Sequence, residues 1–244
     1  MLAVRDAARR ASSISASGLE GTEPEVHFAV SSVEPETVST EPLSAASVAE
    51  PAGAAKGPRD VELPPWSKGR YGTAVGRAVH GVLQAIDLAT GEGLDQLVAA
   101  QCAAEGVAVY ADIVRGCVRS ALDSDIVRRA STRQHWRESF VGTVLDDGTV
   151  IEGFIDLMYR EDDGTIVVVD YKTDDIPAAA IGVRAEYYRP QIHAYLGCLR
   201  ASGVSEPQGA LLFLSPKHPA EARSVHACDS DDCRSGPVED RMRS

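Results

Sequence analysis

Between Val150 and Lys172 two apolar runs flank one acidic turn, a pattern that reads as two strands joined by a turn. Val150 to Tyr159 and Ile166 to Lys172 are rich in β-branched and aromatic residues, as strands are. The Glu-Asp-Asp-Gly of 161 to 164 between them has hairpin-turn chemistry. Side chains alternate between the faces of a strand, so Asp170 and Lys172 project to the same side, roughly 7 Å apart. Asp170 ends a run of four β-branched residues, and Asp156 ends the apolar part of its own strand. A carboxylate in such a place needs a partner if it is buried. Two acids and one lysine at neighbouring strand ends make a cation site. The plainer alternative is an Asp170–Lys172 ion pair with Asp156 facing water.

Two further segments bear on that choice. Upstream stands Gly76-Arg-Ala-Val-His80, and downstream Tyr188-Arg-Pro-Gln191-Ile-His-Ala-Tyr195. A helix-borne His, then Gly-x-x-Asp, Asp-Tyr-Lys-Thr and Tyr-x-x-Gln with a Tyr four residues later follow one another in that order. The combination resembles the nuclease domain at the C-terminus of RecB- and AddA-type (UvrD-like) helicase-nucleases, within the PD-(D/E)XK superfamily. The resemblance covers roughly residues 66 to 215.

The resemblance implies an α/β fold with a restriction-endonuclease-like core, a central mixed sheet flanked by helices. It implies Mg²⁺-dependent hydrolysis of DNA phosphodiester bonds, in the manner of an exonuclease, in double-strand break repair and recombination. Asp156 and Asp170 become direct cation ligands, His80 completes the site, and the Tyr171 carbonyl adds another oxygen. Lys172 orients the attacking water or stabilises charge on the phosphate. Hard oxygen ligands suit Mg²⁺, and the imidazole makes Mn²⁺ an alternative. Gln191, Tyr188, Tyr195 and Glu138 are expected around this set, as DNA contacts or supports, with Glu138 outside the ligands. The expected partner is DNA, as single strands delivered by an ATP-dependent helicase on the same polypeptide or on a partner chain. The competing reading is a catalytically silent DNA-binding or structural module attached to a helicase. Intact Asp156, Asp170, Lys172 and His80 speak against it.

Composition narrows the classes further. The 244 residues suffice for one sizeable domain but not for a helicase motor as well, and no phosphate-loop motif is present. A formal charge of −12 argues against a protein that coats nucleic acid nonspecifically. Five cysteines, at 102, 117, 198, 228 and 233, show no regular framework, which predicts reduced thiols and a cytoplasmic protein. Some relatives of this nuclease domain hold an iron-sulfur cluster on one upstream Cys and three later ones. This chain lacks that trio, so no cluster is expected. Cys228, Cys233 and His226 offer at most a partial zinc site. No apolar run approaches a membrane span.

Residues 1 to 60 are dominated by Ser, Ala, Glu, Pro and Thr, which predicts a disordered linker or tail. The nuclease-like domain is expected over 61–217 and a flexible tail over 218–244. Apolar residues at 75, 79, 82, 83 and 86 mark an amphipathic helix within Gly72 to Leu88 with His80 on its flank. Gly69, Gly72 and Gly76 suggest close approach of another backbone, such as that of DNA. Helices are predicted over Leu94 to Glu105, Ala111 to Leu122 and, N-capped by Ser124, Asp125 to Ala130. A strand is predicted over His135 to Val144, with Trp136, Glu138 and Phe140 on one face. A helix from Ala185 to Ala201 puts Tyr188, Gln191 and Tyr195 on one face and needs Pro190 in its first turn. Gly209 to Leu214 is read as the final strand.

Overall fold

An uninterrupted β-branched run such as Ile166 to Val169 has no polar side to give to water, so its strand must be covered on both faces. In the computed structural model, which describes residues 13–20 and 73–225, the first six residues of the strand Ile166–Lys172 are all buried. Val167, Val169 and Tyr171 enter one core, while Ile166 and Val168 enter another.

The elements in chain order are β1 (Ser13–Ser15), α1 (Ala74–Ala85), α2 (Leu94–Ala104), α3 (Ala111–Asp123), α4 (Asp125–Ser131), β2 (His135–Val144), β3 (Val150–Arg160), β4 (Ile166–Lys172), α5 (Ile181–Ala201), β5 (Gln208–Phe213) and β6 (Glu221–Val225). β2, β3 and β4 form an antiparallel meander. α5 carries the chain across to β5, which pairs parallel with β4, and β6 returns antiparallel beside β5. A parallel neighbour requires such a crossover, and a helix is its usual form. The product is a mixed six-stranded sheet with helices on both faces, the architecture that the sequence predicts.

One core joins α1 to α4 to the sheet through Val79, Val82, Val118 and Leu157. The other seats α5 on the opposite face through Ile192, Leu196, Ile155 and Leu211. Polar caps fix where the helices begin. Thr73 Oγ1 accepts from the Gly76 amide at 2.9 Å, and Ser124 Oγ accepts from the Val127 amide at 3.3 Å. α1 ends at Ala85, where the extended Ile86 leaves the helix. No helix among the described residues is long and apolar enough to cross a membrane.

Four expectations are corrected. Ser13–Ser15, inside the presumed linker, is a strand of the sheet, and Ala16 after it is fully buried. Glu221–Val225, inside the presumed tail, is a strand paired with β5. Neither segment carries an apolar period, because an edge strand need bury little of itself. α5 starts at Ile181, so Pro190 lies inside the helix rather than in its first turn. Gly76 lies in α1, where an added Cβ would sit 2.9 Å from Thr173 Oγ1 and 3.0 Å from Thr73 Oγ1, so the close neighbours are this chain's own side chains. Gly69, Gly72, His226, Cys228 and Cys233 lie outside the described residues.

Candidate active site

The β3–β4 ladder runs from Arg160↔Ile166 to Leu157↔Val169 and stops one residue short of Asp156. There a side chain takes over from the backbone. Asp156 Oδ2 accepts the Tyr171 amide at 2.7 Å, and Oδ1 lies 3.0 Å from His80 Nδ1. One carboxylate thereby ties β4 to α1.

The same point breaks the alternation of β3. Ile155 belongs to the α5-side core, whereas Leu157, two residues on, belongs to the other. Alternation alone would place both on one face. On the neighbouring strand Glu138 has φ +48°, in the left-handed region that non-glycine residues seldom occupy. The pairs Arg137↔Leu157 and Ser139↔Ile155 bracket Glu138 and Asp156, so both irregular residues lie at one level of the sheet. Ligand atoms of His80, Glu138 and Asp156 all fall within 4.8 Å of one another. Strain at a functional position is a recurrent use of such backbone conformations.

A second group occupies the α5 face. Asp170 is 3 % exposed and Gln191 4 %. Lys172 Nζ lies 2.8 Å from Asp170 Oδ2 and donates to Gln191 Oε1 at 2.8 Å. Gln191 Nε2 donates to Asp170 Oδ1 at 3.2 Å and to Tyr195 Oη at 3.0 Å. A lysine can only donate and a carboxylate only accept, so these contacts fix which way the amide faces. Lys172 Nζ also sits 3.9 Å from the centroid of the Tyr188 ring. Tyr188 Oη donates to Asp174, whose carboxylate is held by Arg184 Nε at 3.0 Å and Nη2 at 2.9 Å.

Tyr171, between Asp170 and Lys172, joins the two groups: its amide is held by Asp156 and its ring meets His80 edge-on at 5.9 Å. The geometry therefore differs in grouping from the expected set. The trio close enough to share one ion among the described residues is His80, Glu138 and Asp156, which takes in Glu138, while Asp170 is the acid clamped by Lys172 and Gln191. Tyr188 and Tyr195 are each 3 % exposed or less, so both side chains are buried rather than presented at the surface. Asp174 and Arg184 went unmarked in the sequence; the one signal was that Arg184 and Tyr188 stand four apart on a helix.

Electrostatics follow from this crowding. Burial alone would lower the His80 pKa, but the charge and hydrogen bond of Asp156 outweigh it and raise it to about 9. Burial opposes ionisation of Asp156 too, yet His80 and the Tyr171 amide hold its carboxyl below the ordinary range. Asp170 goes the other way, pushed up to about 6 by burial and by Asp156 despite Lys172. Its Oδ2 is buried and accepts no well-aligned hydrogen bond. Its partner there is the Lys172 ammonium at 2.8 Å, while the two carboxylates and imidazole of Glu138, Asp156 and His80 fit a site for a divalent cation.

Residues 59–237 match the PD-(D/E)XK nuclease superfamily. An ATP-dependent helicase/nuclease subunit of Desulforudis audaxviator (strain MP104C) is 28 % identical over 167 residues, covering 61 % of this chain and 14 % of that protein. Its counterpart from Listeria monocytogenes serotype 4a (strain HCC23) is 28 % identical over 171 residues, covering 60 % and 14 %. The chain thus spans about one seventh of the length of these relatives. The crystal structure of SSO0001 superposes with a TM-score of 0.35 at 16 % identity, over 61 % of this chain and 66 % of that one, a likeness too distant to bear on the fold. The superfamily match takes in the histidine helix, both acid-bearing strands and the amide helix, and on that span the chain belongs to the PD-(D/E)XK nuclease superfamily.

Proposed function

We propose that this chain is the nuclease part of a helicase-nuclease, hydrolysing DNA phosphodiester bonds as a metal-dependent exonuclease in double-strand break repair and recombination in the cytoplasm. The observation that carries the reading is the meeting of two groups across Tyr171, the His80–Glu138–Asp156 trio and the Asp170–Lys172–Gln191 clamp. The names of the relatives supply the helicase as partner.

His80, Asp156 and Glu138 would hold the cation, with Asp170 as a further acid at the end of the neighbouring strand. Mg²⁺ suits the carboxylates and Mn²⁺ the imidazole. When bound, the cation supplies an activated water and neutralises charge on the phosphate. The chain's own part is to place the remaining groups. Lys172 is held at its Nζ by Asp170 and Gln191, so its ammonium is fixed in advance for the phosphate oxygen or the incoming water. Tyr188 covers one side of that ammonium and limits its contact with solvent. Gln191, bonded to both members of the ion pair, keeps Asp170 and Lys172 from reorienting when charge arrives.

The test is cleavage of end-labelled single and double strands with Mg²⁺, Mn²⁺ or Ca²⁺, alone and with a helicase partner and ATP. Cleavage is expected with Mg²⁺ or Mn²⁺, and not with Ca²⁺. Intact strands under every condition, with the partner included, would leave a binding or structural module in place of an enzyme.

A further inference from the structure

We propose that residues 13–20, far from the site in sequence and outside the stretch matched to the superfamily, are a strap that completes the site by positioning the Gln191 amide. The proposal rests on the nuclease reading for its consequence in activity, but not for its structural content.

The sheet shows where the strap lies. β2 occupies one edge of β3 along its whole length, from Val144↔Val150 to His135↔Tyr159. The other edge is divided. β4 pairs with residues 157 to 160, and β1 pairs parallel with Val150, Ile151 and Glu152. Between them the edge from Gly153 to Asp156 has no strand partner among the described residues, and it ends on a proposed cation ligand. β1 therefore closes the far end of this unpaired stretch.

The chain then turns inward. Ala16 is fully buried in the α5-side core, in a single 3-10 turn, Ala16–Gly18. It lies over Gly153, where an added Cβ would meet Ala16 Cβ at 3.0 Å and Tyr195 Cε1 at 2.9 Å. The glycine of Gly-Phe-Ile-Asp is thus the seat for the strap and for Tyr195 together. Ser17 Oγ is 3.5 Å from Gln191 Nε2, the nitrogen that also serves Asp170 and Tyr195. Glu20 accepts a hydrogen bond from Tyr187 Oη at 2.6 Å and pins the end of the strap to α5. The strap reaches Lys172 and the acids through Gln191 and Tyr195, as a positioning element. Small residues, Ser-Ala-Ser-Gly over 15 to 18, are what allow it to lie so close.

The full chain carrying Ala16→Trp tests this, since an indole cannot enter the space over Gly153. A second variant replaces residues 13–20 with Gly-Ser repeats. Two measurements are made on each: cleavage of an end-labelled single strand, and the side-chain amide resonances of Gln191 by ¹⁵N–¹H spectroscopy. Each is repeated with excess synthetic peptide of residues 13–20. Both variants are expected to shift the Gln191 resonances and to lower kcat about tenfold or more with little change in KM for DNA, because a displaced support misplaces reacting groups without removing a DNA contact. The peptide is expected to reverse both effects on the Gly-Ser variant, which leaves its seat open. Unmoved Gln191 resonances in the Gly-Ser variant overturn the proposal. So does a shift with undiminished cleavage, or a bound peptide that restores neither. If the wild type cleaves nothing, the nuclease reading fails, while the resonances and their return with peptide still decide whether the strap positions Gln191.

Discussion

Glu138 and Asp170 show how much a single side chain depends on what surrounds it. Glu138 reaches the His80–Asp156 pair through a left-handed backbone on β2, so its carboxylate is placed at a conformational cost. Glu138→Gln is expected to weaken Mn²⁺ binding about tenfold or more by calorimetry while the fold is kept. Unchanged affinity would return Glu138 to a supporting role. Asp170 has its carboxyl pushed up to about 6, so the ionised form is less favoured in the folded chain than in the unfolded one. That opposes folding increasingly as the pH rises from the ordinary carboxylate range through about 6, and the opposition is complete above it. Asp170→Asn is therefore expected to abolish cleavage while holding or raising the melting temperature at pH 7.5. A clear fall in melting temperature would mean that the Lys172 ion pair outweighs the burial of the charge.

Elements are fixed by a few contacts each, and two substitutions measure them. Ser124 closes α3 and opens α4: its Oγ donates to the Ala121 carbonyl at 2.6 Å and accepts from the Val127 amide. Ser124→Ala is expected to cost about 1 kcal/mol in urea unfolding, as the loss of an N-cap does. The seating of α5 on β5 relies on Gly209, where an added Cβ would lie 2.3 Å from Ile192 Cγ2. Gly209→Ala should destabilise by about 1–3 kcal/mol, since neither the strand nor the buried isoleucine can give way easily. It should also lower cleavage, because Gln191 neighbours the displaced residue. A neutral outcome in unfolding would show that α5 slides without penalty.

Across the whole molecule, the two cores decide which groups water and reagents reach. Cys102, Cys117 and Cys198 are buried as free thiols, and burial pushes Cys117 up to about 12. At pH 8 a thiol of that kind is ionised to only about one part in ten thousand. Alkylation by iodoacetamide, mapped by mass spectrometry, is expected to spare these three in the native protein and to modify them in urea. Rapid native labelling of Cys117 would contradict the packing of α3 against the sheet.

The sequence by itself determined β2 to β5, the helical stripes and the order of the chemical groups, because alternation, period and cap residues act between near neighbours. That Asp170 and Lys172 share a face was legible for that reason, since residues two apart on a strand project to the same side, whereas their 2.8 Å pairing was one of two readings left open until the structure showed it. The placing of β1 and β6 was not legible. Ser13–Ser15 and Glu221–Val225 carry polar, unpatterned residues, and backbone pairing to an existing edge is what makes them strands. Nor could spacing show that Glu138 joins His80 and Asp156, since regular alternation gives no hint of a left-handed residue or of the reset between Ile155 and Leu157. The local chemistry was in the chain. Which acids share one site was decided only when the sheet broke its own pleat and α1 and α5 closed on it from opposite faces, a long-range balance of burial and backbone strain that no stretch of sequence contains.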